Sequence, residues 1–571
     1  MLPKQLRATA VANLLFISSV ILFASLANAQ SNARPELAID DKFAETGQVI
    51  QFVLAPTDKD GVVPGVMLKS APIGAQLDDN WDGTRTFSWP AELPGTHTVI
   101  FTVFDGQDNN LSHDVETSII VAASRITDEI LPDENNFQIG NHINDVVKIL
   151  VDLPVSKSQF SVQQTPLDVA NGRVYISNIE IGQSGDGKGL PQKTVVRQGV
   201  QNSSGGWAWG AATIDDRTIY DEWHTAPSIA VDKAGYVHVA YNMHYLPWQY
   251  KRSTAPHSIN EFAFLGQKIT EHQRNRVIND NYIDFPTLGT AAIPGNQITY
   301  PAFQKDRNND LFISYRFTAT PKHRFTERTT STGIAAYDVD SREWSAIGGS
   351  FPLDADDYEF HEDAGTSSIA LAGQKGWTSY HPRLMFDNNN VLYVNWFWRA
   401  GTGGRELSRP CLVVSPDRKS LFYTISGELV SAPVSPETCG NLGYSNDAKF
   451  LTYGGSAMDA NGVPHILLSP VDQSRQIIHF DSASNSWVRE NAPFNVSEIF
   501  FDKYNSLWAI SDGLRIFKRN SGQDSWQEIY NEGAKINCDA SVVLDESGQN
   551  AFIHTQACNG NSVTVYALRL N

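Results

Sequence analysis

The sequence predicts an all-β chain: a seven-bladed β-propeller preceded by a small β-sandwich. Three observations carry that expectation. A turn signature recurs seven times through the chain, its spacing suits four-stranded units, and the segment before it alternates apolar and polar residues between Gly, Pro and Asp turns.

The recurring unit is D-x-x-[G/N] between two short apolar runs. Its aspartates are Asp168, Asp232, Asp306, Asp387, Asp459, Asp502 and Asp545. Three residues after each stands Asn171, Gly235, Asn309, Asn390, Gly462, Asn505 or Gly548. A hairpin turn needs a residue at positive φ, which Gly and Asn tolerate best, and the aspartate can accept hydrogen bonds from the turn's own backbone. The gaps between aspartates are 64, 74, 81, 72, 43 and 43 residues. The shortest match a propeller blade of about 40–50 residues, and the longer ones match blades with inserted loops. A pair of sandwiches or a β-helix is the alternative, but neither accounts for hairpins spread over so long a stretch.

Before the repeats, "LKSAPIGAQLDDNWDGTRTFSWPAELPGTHTVIFTVFDG" reads as a small sandwich. It resembles the immunoglobulin-like modules, of cadherin or related type, attached to bacterial surface enzymes. Asp105 and Asp108 are read there as a solvated loop rather than a calcium site, and the module as a spacer or carbohydrate-docking unit. The expected organisation is a signal peptide over 1–29, an Ig/cadherin-like sandwich over 31–122, a linker over 123–135 and the propeller over 136–571.

The leader reading rests on Lys4 and Arg7, the apolar run "AVANLLFISSVILFASL" and the small-residue site Ala27-Asn28-Ala29. No later segment has the roughly 20 apolar residues that span a bilayer. A secreted protein, extracellular or periplasmic, is therefore expected, acting as a monomer with no membrane span. A net charge of -19 disfavours nucleic acid as a partner, so an anionic substrate would need positive charge gathered locally. Four cysteines in an exported chain suggest two disulfides, with Cys411–Cys439 and Cys538–Cys558 the local pairings among three connectivities. No C-x-x-C or H-x-x-x-H spacing supports a metal site, although a structural divalent metal is left open.

The repeat also acts as a ruler. Residues two apart in a strand share a face, and residues equidistant from a hairpin turn are cross-strand neighbours. Counted from the anchor aspartate, His224 lies at -8 and His244 at +12; in the next unit Tyr300 lies at -6 and Arg316 at +10. Each pair is a candidate cross-strand pair on one register, far from the turns. Asn242, His381 and Arg399 fall on the same lattice. With Trp248 and Tyr380 they are the candidate substrate contacts, Trp248 as a surface for sugar stacking. Isolated histidines near strand ends commonly serve as hydrogen-bonding wall residues, so the inference rests on the coincidence of positions. His238 sits inside its strand and reads as packing, and Trp396 and Trp398 read as core. His257, His323 and His361 belong to loops.

No Gly-rich phosphate loop, G-x-S-x-G elbow or H-E-x-x-H helix is present. A glycosidase would need a carboxylate pair, yet Asp221, Glu222 and Asp284 lie off the lattice. Two imidazoles, a phenol and one or two guanidinium groups suit β-elimination from a uronic-acid polymer. An arginine pairs the carboxylate and stabilises the enolate-like intermediate, while a histidine or tyrosine takes the C5 proton and a neighbour protonates O4. This chemistry calls for no cofactor.

"DEWHTAPSIAVDKAGYVHVAYNMHYLPWQYKRS" and "TYPAFQKDRNNDLFISYRF" resemble the BNR-4 repeat family, and within it the ulvan lyases built on seven-bladed propellers. The resemblance spans roughly residues 220–400. It implies that His224, His244, Tyr300 and Arg316 are catalytic: Arg316 neutralises the carboxylate, Tyr300 and His244 exchange protons, and His224 orients or acts as alternative base. The expected substrate is an anionic, sulfated, uronate-containing polysaccharide, ulvan first. A non-catalytic carbohydrate-binding propeller and a sialidase-like glycosidase are the other readings, the latter weakened because S-x-D-x-G-x-T-W boxes are absent.

Overall fold

The computed structural model describes residues 34–570 apart from 46–47, 60, 62, 92–94, 106–110, 123–136, 138, 140–143, 157–163, 182–191, 216–222, 269–291, 296, 318–329, 351–368, 401–406, 494, 534–536 and 558–561. The expected leader and linker, Asp108, Asp221, Glu222, Asp284, His323, His361 and Cys558, and the side chain of Cys538, lie outside the described residues. Among those described the chain is built from strands, with no α-helix and no helix long and apolar enough to cross a membrane.

Two sheets form near the N-terminus. One orders Lys42–Glu45, His113–Ala122, Gly95–Phe104 and Gly65–Ser70; the other orders Val49–Leu54, Arg85–Pro90 and Gln76–Asp79. Alternation puts Phe87, Trp89, Val99, Phe101 and Ile119 into one shared core, where the rings of Phe87 and Phe101 meet edge to face.

Seven further sheet units follow, each beginning with an anchor-bearing hairpin. Their first two strands are Leu167–Ala170 with Arg173–Ile181, Ser228–Val231 with Val237–Ala240, and Ile298–Lys305 with Leu311–Phe317. Then come Trp377–Phe386 with Leu392–Ala400, Lys449–Met458 with Pro464–Pro470, Val496–Phe501 with Leu507–Ser511, and Asn537–Leu544 with Asn550–Ala557. The first strand of each unit packs on the next unit's, and the seventh packs back on the first; the third unit meets the fourth through Leu311–Phe317. The last sheet is completed by Val146–Pro154, which pairs antiparallel with the C-terminal strand Ser562–Arg569. A pairing of Leu407 with Phe450 merges the fourth and fifth units into one continuous sheet. Cys411 pairs with Cys439 in a disulfide beside that junction, Cα atoms 5.5 Å apart.

The turns follow the reading of their sequence in detail. All seven Gly or Asn residues at the third position after the aspartate have positive φ, from 48° at Asn171 to 89° at Gly235. In five units one carboxylate oxygen accepts the amides two and four residues on, as Asp502 does from Tyr504 (2.9 Å) and Ser506 (2.8 Å). Asp545 instead accepts the amides four and five residues on, from Gln549 and Asn550. Asp168 departs from the pattern. Its hairpin turns on Asn171-Gly172, both at positive φ, so the turn needs no side-chain cap. The carboxylate instead accepts the Val231 amide (2.6 Å) and pairs with Lys305 (2.5 Å), tying the first unit to the second and third.

Asp502 also accepts the indole N–H of fully buried Trp508 at 2.8 Å. Replacing Asp502 by Ala leaves three donors without their acceptor, at about 1–3 kcal/mol for each buried one. The expected outcome is a thermal unfolding midpoint several degrees lower, read from tryptophan fluorescence; an unchanged midpoint would contradict this role.

Candidate active site

The ruler places the first pair of residues correctly in register but not in one sheet. Ser228 pairs with Ala240, the predicted register, yet the regular hairpin ends there. His224 lies in a single 3-10 turn, Trp223–Thr225, just ahead of the strand. Beyond Ala240 the backbone at Asn242 takes a positive φ of 56°, and its amide donates to the Thr225 carbonyl (3.2 Å). That bond holds the departing chain against the turn that carries His224. His244 then opens a short strand, His244–Leu246, that joins the following sheet by pairing with Thr299. The two histidines are therefore not cross-strand partners in one hairpin. Their rings nevertheless stack, with centroids 4.0 Å apart and planes 3° from parallel.

The second pair is corrected in the same way. Arg316 lies opposite Thr299 rather than Tyr300, because a β-bulge falls between Thr299 and Ala302. Tyr300 occupies that bulge at φ 56°, directly before Pro301. The next unit repeats the bulge between Tyr380 and Arg383, directly before Pro382 and at the position of His381. The extra residue turns Tyr300 out of the strand's alternation and under the histidines, 5.0 Å from the His224 ring.

Arg316 forms the floor of the site. It is 2% exposed, and its guanidinium lies 4.6 Å from the Tyr300 ring centroid, 4.9 Å from Tyr380 and 5.2 Å from Tyr245. Nη2 donates to the Tyr245 hydroxyl (3.2 Å), whereas Nε and Nη1 are buried with no hydrogen-bond partner. No described carboxylate pairs with it. Burial opposes its charge, but the three tyrosines outweigh burial and hold the guanidinium charged. Arg399 donates from Nη1 to the Tyr380 hydroxyl (3.2 Å) and adds a second cation.

The phenols respond differently to these charges. Burial pushes Tyr300 well above the ordinary tyrosine value despite Arg316. Burial also raises Tyr380, but Arg316 and Arg399 together outweigh it and hold this phenol below its usual value. One site thus contains a tyrosine kept protonated and another biased toward phenolate.

His224, His244, Tyr300, Arg316, Tyr380 and Arg399 converge as expected from the sequence. Tyr245 joins them although no sequence argument singled it out. It stands at odd parity from Asp232, and its positive φ (57°), after that of Asn242, breaks the two-residue alternation that parity presumes. Asn242 is fully buried with its amide on Asp215 (3.1 Å), so it shapes the backbone instead of facing a substrate. Trp248 is not a stacking platform. It is fully buried, its indole N–H bonds the Pro294 carbonyl (3.2 Å) and its ring packs edge-on against Tyr315. Strand 244–246 carries the chain away before Trp248 can reach the rim. The side chain of His381 lies outside the described residues. His238 is a packing residue as read, bound to Asp232 and Tyr250, and Trp396 and Trp398 are core.

Strand-built sheets with a largely buried cluster of imidazole, phenol and guanidinium groups define an all-β scaffold carrying a polar, cationic site. The chain belongs to the BNR repeat-containing family, whose sequence profile matches residues 188–494. It shares its fold with the polysaccharide lyase Uly1, at a TM-score of 0.50 and 10% identity over 75% of this chain and 99% of that one. A PL25 ulvan lyase solved with -[GlcA(1-4)Rha3S]- aligns at TM-score 0.49 and 13% identity, covering 74% and 96%. An α-L-arabinofuranosidase of Fusarium graminearum aligns at 0.33 and 9% identity, covering 74% and 98%. No match is found among curated proteins.

The opposed shifts can be read directly. In protein carrying ring-labelled tyrosine, the Tyr380 resonance should titrate below the value of about 10 usual for the residue, and Tyr300 above it. Arg399→Met should move Tyr380 upward, since removing a cation disfavours phenolate. Titration of Tyr380 with the bulk of the tyrosines would refute the assignment.

Proposed function

We propose that this chain is a secreted polysaccharide lyase that cleaves an anionic, uronate-containing polymer, with sulfated ulvan as the preferred candidate, by β-elimination. The observation that carries the reading is Arg316: a buried guanidinium whose Nε and Nη1 have no partner, at the floor of a site without a described carboxylate. A uronate carboxylate would take a charge-assisted hydrogen bond from one of those donors, and a two-pronged pair if Nη2 turned from the Tyr245 hydroxyl to share it. The seven sheet units are read as blades of a propeller, consistent with successive units that contact one another through their first strands (the third and fourth through Leu311–Phe317) and with a return from seventh to first. The N-terminal pair of sheets is read as an Ig-like module over residues 31–122, serving as spacer or docking unit.

In this mechanism Arg316 pairs the carboxylate and so offsets the negative charge that develops when C5 loses its proton. His244, partly exposed above the floor, takes that proton, and His224 holds the facing imidazole plane. The C4–C5 double bond forms as the C4–O4 bond breaks. Tyr300, which burial keeps protonated, donates its proton to O4. Tyr380 and Arg399 flank the carboxylate end, and Tyr245 orients Arg316. The reaction calls for no redox cofactor, and all of these groups come from a single chain.

Incubation with ulvan should generate the ultraviolet absorbance of an unsaturated uronate. Tyr300→Phe should lower kcat by about 10²–10⁴-fold, and Arg316→Ala by about 10²–10³-fold, with the fold intact by circular dichroism. Full activity in either variant would sink the mechanism. Tight binding to uronate polymers without any absorbance change would instead identify a binding module.

A further inference from the structure

Far from this site in sequence, the fifth unit brings two histidines together. Within it, strand Pro464–Pro470 pairs with Gln476–Asp481, and that strand with Ser486–Asn491. His465 lies directly opposite His479, and His479 opposite Val488. Glu490 is two residues from Val488, so all three polar side chains project from one face. One donor atom from each of His465, His479 and Glu490 lies within 4.8 Å of the others, a grouping found once among the described residues.

Two features separate this cluster from ordinary packing of aromatic rings. The Nδ1 atoms of both histidines are buried with no hydrogen-bond partner. Leaving one such atom unsatisfied costs about 1–3 kcal/mol, and here two occur on adjacent strands. The other ring nitrogen of His465 faces the Asp459 carboxylate at 3.9 Å. That is beyond hydrogen-bond length, but a small side-chain rotation would give the carboxylate–imidazole pairing usual behind a metal-ligating histidine, with the opposite nitrogen as the donor. Glu490 is itself held by Arg519 of the sixth unit, which donates to both of its oxygens.

We propose that His465, His479 and Glu490 form a structural site for a divalent transition ion of the Zn²⁺ class. Two imidazoles and one carboxylate suit Zn²⁺ better than Ca²⁺ or Mg²⁺, which take oxygen ligands. Ligand atoms around one zinc sit about 3–4 Å apart, so the three atoms, which lie within 4.8 Å of one another, would draw together on binding. Glu490 would share one oxygen with the ion and keep the other on Arg519. The ion would then tie the outer strands of the fifth unit to the sixth. His479 and Glu490 are partly exposed, which gives the ion a route in.

The test uses the full-length protein, stripped with a chelator, loaded with excess Zn²⁺ and desalted. Metal analysis should find one zinc per chain in the wild type and at least tenfold less in His465→Gln and His479→Gln, each checked for native near-ultraviolet circular dichroism. Added Zn²⁺ should raise the thermal midpoint of the wild type and leave that of either variant unchanged. A wild type that retains no zinc overturns the proposal, as do variants that retain as much as wild type. Should the variants lose their fold, Co²⁺ titration of the wild type decides: absorption bands of a low-symmetry nitrogen–oxygen site support it, and the spectrum of aqueous Co²⁺ overturns it. These readouts are blind to ulvan cleavage, so they stand or fall independently of the lyase reading.

Discussion

In most of the repeated hairpins a buried aspartate takes the amides of its own turn on one oxygen, while the residue three positions on supplies a positive φ. Each turn thus closes on itself and frees its second carboxylate oxygen for work elsewhere. Asp306 uses that oxygen to hold Arg418 at 2.6 Å, Asp232 to hold His238 at 3.0 Å, and Asp502 to hold the Trp508 indole. The turns also bond to one another, as Arg307 does to Asn390 and Ala460 to Asn505. One small polar motif therefore sets hairpin register and the seams between units together.

A scaffold anchored at the turn end leaves the opposite end of each hairpin at liberty to depart from regular geometry. First strands from the third unit to the seventh carry bulges, and those of the third and fourth units, with positive φ at Asn242, Tyr245 and Tyr300, fall at the candidate site. Non-glycine residues in that region cost on the order of 1–3 kcal/mol each and persist where the surroundings over-determine them. Here they converge on one cluster of side chains. Rigid turns and a distorted rim are two consequences of the same arrangement.

The cluster is also electrostatically unusual. Arg316 lies among three phenols, and no carboxylate among the described residues pairs with its charge. An ion pair with Asp or Glu would occupy Nε and Nη1, which here have no partner. Ring faces stabilise the cation without consuming those donors. The phenols in turn diverge, Tyr300 held protonated by burial and Tyr380 drawn toward phenolate by two guanidinium groups. Two neighbouring phenols are thereby given opposite proton affinities.

Much of this was legible in the chain itself. Turn chemistry is local: an aspartate and a Gly or Asn three residues on determine a tight turn wherever they occur, so seven hairpins and their register could be counted without coordinates. The sequence also determined that His224, His244, Tyr300 and Arg316 stand at matching distances from their turns, and it carried the family resemblance. Tertiary structure alone decided how they meet. His244 leaves its own sheet for the next, Tyr300 sits in a bulge, Tyr245 joins the cage and Trp248 sinks into the core. Strand parity fails at each of these places for one reason. A non-glycine residue at positive φ is chosen by contacts from distant parts of the chain, and nothing in its local sequence announces it.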